Sequence, residues 1–408
     1  MARKSTLSLR RYYWQGRESS GKDIASYTLA SCAQEVRDRL SERKVRLKSM
    51  RSGSISLFDR RRHIVKVRDI NVFTRQLATL LESGFPVLNC LTLLAKQSAK
   101  AELTSIIYQL SKRLEAGETL ADSLKHIHPI FDSLYLALVA VGEQTGQLAK
   151  VLHRVANYQE RRIQLQAKVT KALLYPGVML VSAIGVSYLM MIWVIPEFEA
   201  LFSDFSTPLP WFTQQVIGLS QVLRHAALPI LISIMLLSWA ARRSYYRNPK
   251  IALICSRLIL HLPMFGKTLD KACIARVSRT IATNQSCGIA LLTNLTLAAN
   301  TANNRYYQDA IIRSKESVLT GTSLHAALRE QSAFPELFLQ MVMIGEESGR
   351  LDSMLEKLSA LYEADVDEQI DRLNTILEPI LILLLGGIIG SLVVAMYLPI
   401  FNLTQILG

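Results

Sequence analysis

Apolar positions along most of this chain recur at three- and four-residue spacing, as in Leu77, Leu80 and Leu81 and again in Leu351, Leu355 and Leu358, with Leu361 and Tyr362 continuing the second series. That period follows one face of an α-helix, so the pattern predicts amphipathic helices. Turn chemistry separates them at Ser83-Gly84-Phe85-Pro86, Ala116-Gly117-Glu118 and Gly142-Glu143-Gln144-Thr145-Gly146. No alternating strand pattern of any length appears among these helices. Residues 1–65 are Arg-rich and polar and read as a small basic appendage.

Two stretches lose their polar face altogether. Ala172–Ile195 and Pro379–Ile400 contain no charged residue, and each reaches the roughly 20 residues needed to cross about 30 Å of hydrocarbon. Between them, Val216–Ala240 is interrupted by Arg224 and His225. Its unbroken part, Ala226–Ala241, rises only about 24 Å. A crossing there requires Arg224 to sit near an interface with its guanidinium extended outward.

Self-similarity gives this middle stretch a reason. At an offset of 204 residues, FTRQLATLLESG (73–84) aligns with VSRTIATNQSCG (277–288), pairing Arg75 with Arg279 and Gly84 with Gly288. EAGETLADSL around Gly117 matches LTGTSLHAAL around Gly321. After a one-residue deletion the offset is 203, and VGEQTGQL (141–148) matches IGEESGRL (344–351). The same register runs through LLYP and ILEP, ending at Pro176 and Pro379, to IPEF and LPIF, ending at Phe198 and Phe401. Each copy therefore carries its own membrane helix, and two copies facing the same way need a return crossing between them.

Charge sets the direction. The chain carries a net charge of +14, concentrated near the start: residues 1–171 hold 30 Lys and Arg against 15 Asp and Glu, whereas residues 242–378 hold 16 against 15. Lys168 and Lys171 precede the first crossing, and Arg242, Arg243, Arg247 and Lys250 follow the second. Glu197–Gln215 has three acids and no basic residue, and the tail after Ile400 has no charge. Since cytosolic flanks are enriched in Lys and Arg, the N-terminus is expected inside and the C-terminus outside, with Trp193 and Trp211 at the outer interface. The first twenty residues lack the apolar core of a secretory signal. Five scattered cysteines, Cys32, Cys90, Cys255, Cys273 and Cys287, form no CxxC pair and are expected to be reduced.

Candidate chemistry is sparse. The paired Gly-Glu-x-Ser/Thr-Gly-x-Leu segments are the most specific local signal. One reading is a helix–helix turn, with Gly142 and Gly345 ending a helix in a left-handed cap and Thr145 or Ser348 capping the next. The other makes Glu143 and Glu346 a surface contact for a partner protein or a hard cation, although two carboxylates do not by themselves establish a metal site. Gly266-Lys267-Thr268 lacks the earlier glycine of a phosphate-binding loop, since His261 stands in its place. His126 and His128 are two apart, diverge on a helix, and fit a solvated loop ending at Pro129. Arg60-Arg61-Arg62-His63, with Lys66 and Arg68, lacks aromatic interleaving and suits anionic lipid or an acidic partner rather than nucleic acid. Gly386 and Gly390 form a GxxxG that permits close helix packing, either against the other crossings or against a second copy. A transporter or channel is the alternative class, but it usually keeps ionisable groups inside its membrane helices. Nothing resembles a catalytic set or a cofactor site.

With FTRQLATLLESGFPV, the duplicated GE-x-[ST]-G-x-L, LLYP and ILEP, and the closing GGIIGSLVVAMYLPIFNL on the page, residues 66–402 resemble the PilC/GspF family of type IV pilus and type II secretion platform proteins. The resemblance implies an inner-membrane protein with three crossings and two six-helix cytosolic domains. It further implies a dimer or higher oligomer on which a separate cytosolic ATPase acts while pilin or pseudopilin subunits leave the bilayer. It places Glu143, Thr145, Gly146, Glu346, Ser348 and Gly349 at signature positions, as candidates for partner or oligomer contact. Two departures stand: the first 65 residues match loosely, and Ala290 replaces the proline found at Pro86 in the first copy.

The expected protein is thus an all-α membrane protein with two repeated cytosolic bundles and three transmembrane helices. It comprises a basic segment 1–65, cytosolic helical domain 66–171, crossing 172–195, periplasmic loop 196–215, crossing 216–241, cytosolic helical domain 242–375, crossing 376–400 and periplasmic tail 401–408. It is expected to bind no cofactor and to perform no bond chemistry.

Overall fold

A computed structural model describes residues 9–18, 23–55, 63–197, 210–262 and 265–407. The Arg60–Arg62 run and most of the acidic loop at 198–209 lie outside the described residues, as do the side chains of Arg224 and His225. The chain divides into two compact units: residues up to Gln164 with Arg276–Ala302 and Ala310–Ser359, and Leu165–Ala275 with Asn303–Asp309 and the residues from Ala360 on.

The start of the first unit corrects the all-helical expectation. Strands β1 (Arg10–Arg17), β2 (Asp23–Ala30) and β3 (Arg46–Gly53) form an antiparallel sheet in the order β2-β1-β3, with helix α1 (Ala33–Glu42) between β2 and β3. Within RRYYWQGR, Tyr12, Trp14 and Gly16 are buried while their neighbours point away, which is the two-residue period of a half-buried strand. Tyr12 and Trp14 pack with Ala30, Val36, Leu40 and Val45, and Trp14 Nε1 donates to Thr28 Oγ1 at 2.9 Å. The strong basic content of this segment masks a short alternation that only three strands and a helix together make stable.

This small domain is fastened through a buried carboxylate. Glu35 is fully buried and accepts from the Ser31 amide and hydroxyl, both at 2.8 Å, from Ser105 Oγ at 2.8 Å, and from Arg39. Tyr108 donates to Asp38 at 2.6 Å and Gln109 to Ser31 at 3.0 Å. Ser105, Tyr108 and Gln109 lie one helical turn apart on the third helix of the repeat, so α1 is tied to that helix along one face.

The repeat follows. The first copy consists of α2 (Val67–Glu82), α3 (Val87–Gln97), α4 (Ala101–Glu115), α5 (Leu120–Ile127), α6 (Ser133–Gln144) and α7 (Leu148–Leu189). After α8 (Trp211–Arg247) and α9 (Pro249–Leu260), the second copy consists of α10 (Phe265–Ser286), α11 (Leu291–Thr301), α12 (Arg305–Leu319), α13 (Leu324–Arg329), α14 (Glu336–Glu347) and α15 (Leu351–Leu407). Each copy therefore has six helices. Their turns repeat at the level of single dihedrals: Gly84 and Gly288 have φ +84° and +81°, Gly117 and Gly321 +89° and +95°, and Gly146 and Gly349 +68° and +65°. These are left-handed C-cap positions, which glycine occupies without a Cβ penalty. The departure at Ala290 leaves the geometry unchanged, since Pro86 has φ −58° and Ala290 φ −53°. The first copy's core, including Phe73, Leu77, Leu91, Leu124, Tyr135 and Leu138, is continuous with Ile289 and Leu297 of the second.

In the second unit, the bundle-to-membrane boundaries expected at 171 and 375 fall inside single helices, α7 and α15. Among the described residues, these are the two helices long and apolar enough to cross a membrane. Their apolar side chains are largely open, with Val181 69% and Leu383 75% exposed. Such surface is unfavourable in water and natural against lipid tails. Helix α8 is continuous over 37 residues, with Pro229 inside it. Its first turns lie beside the ends of the other two: Thr213 Oγ1 donates to the Ala395 carbonyl at 2.8 Å, Ser220 donates to the Met191 carbonyl, and Ile217 packs with Ile195 and Leu392. Met191 belongs to a one-turn π-helical stretch, Met190–Val194.

Candidate functional site

The duplicated Gly-Glu motif builds the same corner twice. In α6, Gly142 is helical and buried. A Cβ there would lie 3.0 Å from Val151 Cβ, and one at Gly345 would lie 2.8 Å from Leu351 Cα. These glycines permit close approach of the next helix. The left-handed caps expected at Gly142 and Gly345 instead fall four residues later, at Gly146 and Gly349, where the helix has ended and a positive φ is required. Nor do Thr145 and Ser348 cap the following helix. Thr145 Oγ1 donates back to the Val141 carbonyl at 2.8 Å, and Ser348 Oγ to the Ile344 carbonyl at 2.6 Å. Each hydroxyl bonds back to a carbonyl that also accepts the same residue's amide, the i−4 back-bond of a helix's last turn.

The glutamate side chains turn inward from that corner. Glu143 Oε1 accepts from the Leu120 amide at 2.8 Å and Oε2 from the Ala121 amide at 3.3 Å. Glu346 repeats the arrangement with the amides of Leu324 at 2.7 Å and His325 at 3.0 Å. Thr119 and Ser323, at the N-caps, accept from the third amides, of Asp122 and Ala326. Three of the four orphan donors of a helix start are thereby satisfied, two of them by a carboxylate more than 20 residues away. The negative charge also sits at the positive end of the helix dipole. The sequence held the signal, since the segments around Gly117/Gly321 and Gly142/Gly345 match in both copies and are the two that meet here.

Other predicted positions stand as follows. Gln144, Thr145 and Gly146, with Glu347, Ser348 and Gly349, form the exposed tips of the two corners. Around Gly386 and Gly390 a Cβ would meet nothing within 4 Å among the described residues, and the same holds for Gly387. His126 is exposed, but His128 is buried rather than solvated. Its Nδ1 accepts from the Ile130 amide at 3.1 Å, and its Nε2 lies 3.7 Å from Glu102, a buried carboxylate that also accepts from the Val65 amide at 2.5 Å. The linker entering the first copy is anchored there.

Two features were not marked by sequence reasoning. One is the buried Tyr135 hydroxyl, 2.9 Å from Thr74 Oγ1, whose pKa burial pushes well above the ordinary phenol value. The other is a polar cleft of about 600 Å³ within the first unit, walled by α2, α7, α10 and the start of α15, and lined by Arg75, Arg154, Arg161 and Arg279. Its arginines are scattered along the sequence, so no local motif announces them.

Comparison with known proteins gives concordant results. The family described as type II secretion system (T2SS), protein F, matches residues 73–196 and 277–399, which are the two copies. The chain is 37% identical over 401 residues to the type 4 fimbrial assembly protein PilC of Pseudomonas putida, covering 98% of this chain and 99% of the relative. It is 35% identical to the type IV pilus assembly protein PilC of Myxococcus xanthus, with 96% and 94% covered, and 30% identical to the type II secretion system protein F of Vibrio cholerae, with 92% and 94% covered.

Proposed function

The chain belongs to the type II secretion system protein F family, and from that premise we propose that it is the inner-membrane platform of a type IV pilus or type II secretion machine. On this reading it couples a cytosolic ATPase to the insertion and extraction of pilin or pseudopilin subunits, through binding rather than bond chemistry. The observation that carries the reading is the duplicated six-helix unit running into its own apolar helix, which offers two equivalent cytosolic corners on one membrane-anchored chain. The surface offered to the ATPase or to another platform subunit is the pair of tips at Thr145-Gly146 and Ser348-Gly349, held in shape by Glu143 and Glu346. Photo-crosslinking residues at Gln144 and Glu347 are expected to capture an assembly component in cells. Capture of none, with assembly abolished by Arg substitution at neither tip, would sink this role for the corners.

Three crossings fit the packing in the second unit. The start of α8 touches the ends of α7 and α15, as an antiparallel return helix must, and Lys168 pairs with Asp367 within those two helices, ahead of their apolar stretches. Exposed Met235, Leu237 and Trp239 give α8 a lipid-compatible face, with the Arg243 guanidinium 5.5 Å from the Trp239 ring where an inner interface would lie. The N-terminus is cytoplasmic and the C-terminus periplasmic. Cysteines placed at 205 and after 407 should be labelled by an impermeant reagent from outside, and one at 165 should not. The open glycine face at Gly386–Gly390 makes contact with a second copy, so Gly390→Leu is expected to shift the oligomer toward monomer in mild detergent. Membrane lipids complete the partners.

A further inference from the structure

Where the two copies face each other inside the first unit, the helices do not close. α7 lines one wall of the cleft with Arg154, Asn157, Arg161 and Gln164, residues three and four apart on one face, and α10 lines another with Arg279 and Thr283. A seam between packed helices is normally apolar. This one is polar, and its roughly 600 Å³ falls within the range of small-molecule sites.

The arginines are not equally committed. Arg75 is occupied by Glu160 and by Asn157 Oδ1 at 3.1 Å, and Arg279 lies 3.8 Å from Glu356. Arg154 reaches a thiol, Cys287 Sγ at 3.7 Å, which is a weak acceptor. Arg161 is exposed and makes no hydrogen bond or ion pair among the described residues. The repeat tests whether the fold needs it. Position 161 corresponds to Ala364 in the second copy, and the same helix forms there without the arginine. The two arginines thus rise from positions about 10 Å apart along α7, at 1.5 Å of rise per residue, with Asp352 and Glu356 of α15 also lining the cleft.

We infer that this cleft binds a small molecule carrying a diphosphate group, with its phosphates on Arg154 and Arg161 and its hydroxyl or amine donors on Asp352 and Glu356. Guanidinium forks match phosphate oxygens in pairs, and two long arginine side chains rooted two turns apart on one face can converge on two linked phosphates. A ligand without donors would leave the two carboxylates facing it unfavourably, so a nucleoside diphosphate fits better than bare pyrophosphate.

The full chain in lipid nanodiscs, titrated with ADP, GDP and inorganic pyrophosphate, tests this. Saturable binding of a nucleoside diphosphate is expected, at least tenfold tighter than pyrophosphate. Arg161→Gln should weaken it at least tenfold without moving the thermal midpoint, because Arg161 supports no contact. Asp352→Asn should weaken the nucleotide and not pyrophosphate. No binding of either nucleotide, pyrophosphate binding as tightly as the nucleotides, or nucleotide binding unmoved by Arg161→Gln would each overturn the assignment.

Discussion

The two copies of the repeated unit share a backbone and differ in what their cores hold. In the first, Tyr135 on α6 meets Thr74 on α2 through their hydroxyls, and Leu80 and Cys90 fill the α2–α3 contact without a mutual hydrogen bond. In the second, the position of Tyr135 is Phe338, and Ser278, in the place of Thr74, has a buried hydroxyl without a partner among the described residues. The polar pair has moved to the α10–α11 contact, where Asn284 Nδ2 donates to Asn294 Oδ1 at 2.8 Å and Asn294 Nδ2 to the Ile281 carbonyl at 3.0 Å. One fold thus accepts a buried polar pair at either place. What both copies keep is the Glu-capped corner, in which one carboxylate holds two backbone amides of a helix start more than 20 residues away.

If the corner is the shared determinant, removing its carboxylate should cost most. Glu143→Ala and Glu346→Ala each leave two helix-start amides unpaired, expected to cost about 1–3 kcal/mol. The first copy should lose more, since Glu143 is half-buried and Glu346 exposed to substituting water. Thermal midpoints in detergent and hydrogen exchange at the amides of 120–121 and 324–325 measure it. Equal losses in both copies would break the ranking.

The moved polar pair gives the next effect. Asn294→Ala strands the buried Asn284 amide and should cost about 1–3 kcal/mol, whereas Asn284→Leu with Asn294→Cys, which transplants the first copy's residues, should come close to wild type. A double variant as unstable as the single one would show that the copies are not interchangeable. Tyr135→Phe, mimicking Phe338, should cost about 1 kcal/mol, because Thr74 keeps its bond to the Ile70 carbonyl at 2.7 Å. The smallest change has the opposite sign. Ala290→Pro, at a position already in the backbone conformation of Pro86, should stabilise by about 0.4–1 kcal/mol through the unfolded chain.

By itself the sequence determined the helical repeat, its six turns and the two apolar helices. Helical period, turn chemistry and hydrocarbon-length runs are local properties, each decided within a few residues of the chain. It was also enough to mark the Gly-Glu segments as a pair, since they survive duplication together. Only the tertiary structure decided what they do. Glu143 meets the amides of Leu120 and Ala121 because α5 and α6 pack, and no local pattern encodes a contact across that separation. The sheet at Arg10–Gly53 was hidden for a related reason. Two of its three strands carry three basic residues each, and they gain meaning only when Tyr12 and Trp14 close on α1 and the buried Glu35 ties that helix to α4. The arginine cleft belongs to the same class, because each of its walls reads alone as an ordinary solvated helix face and becomes a concave site only where the two copies meet.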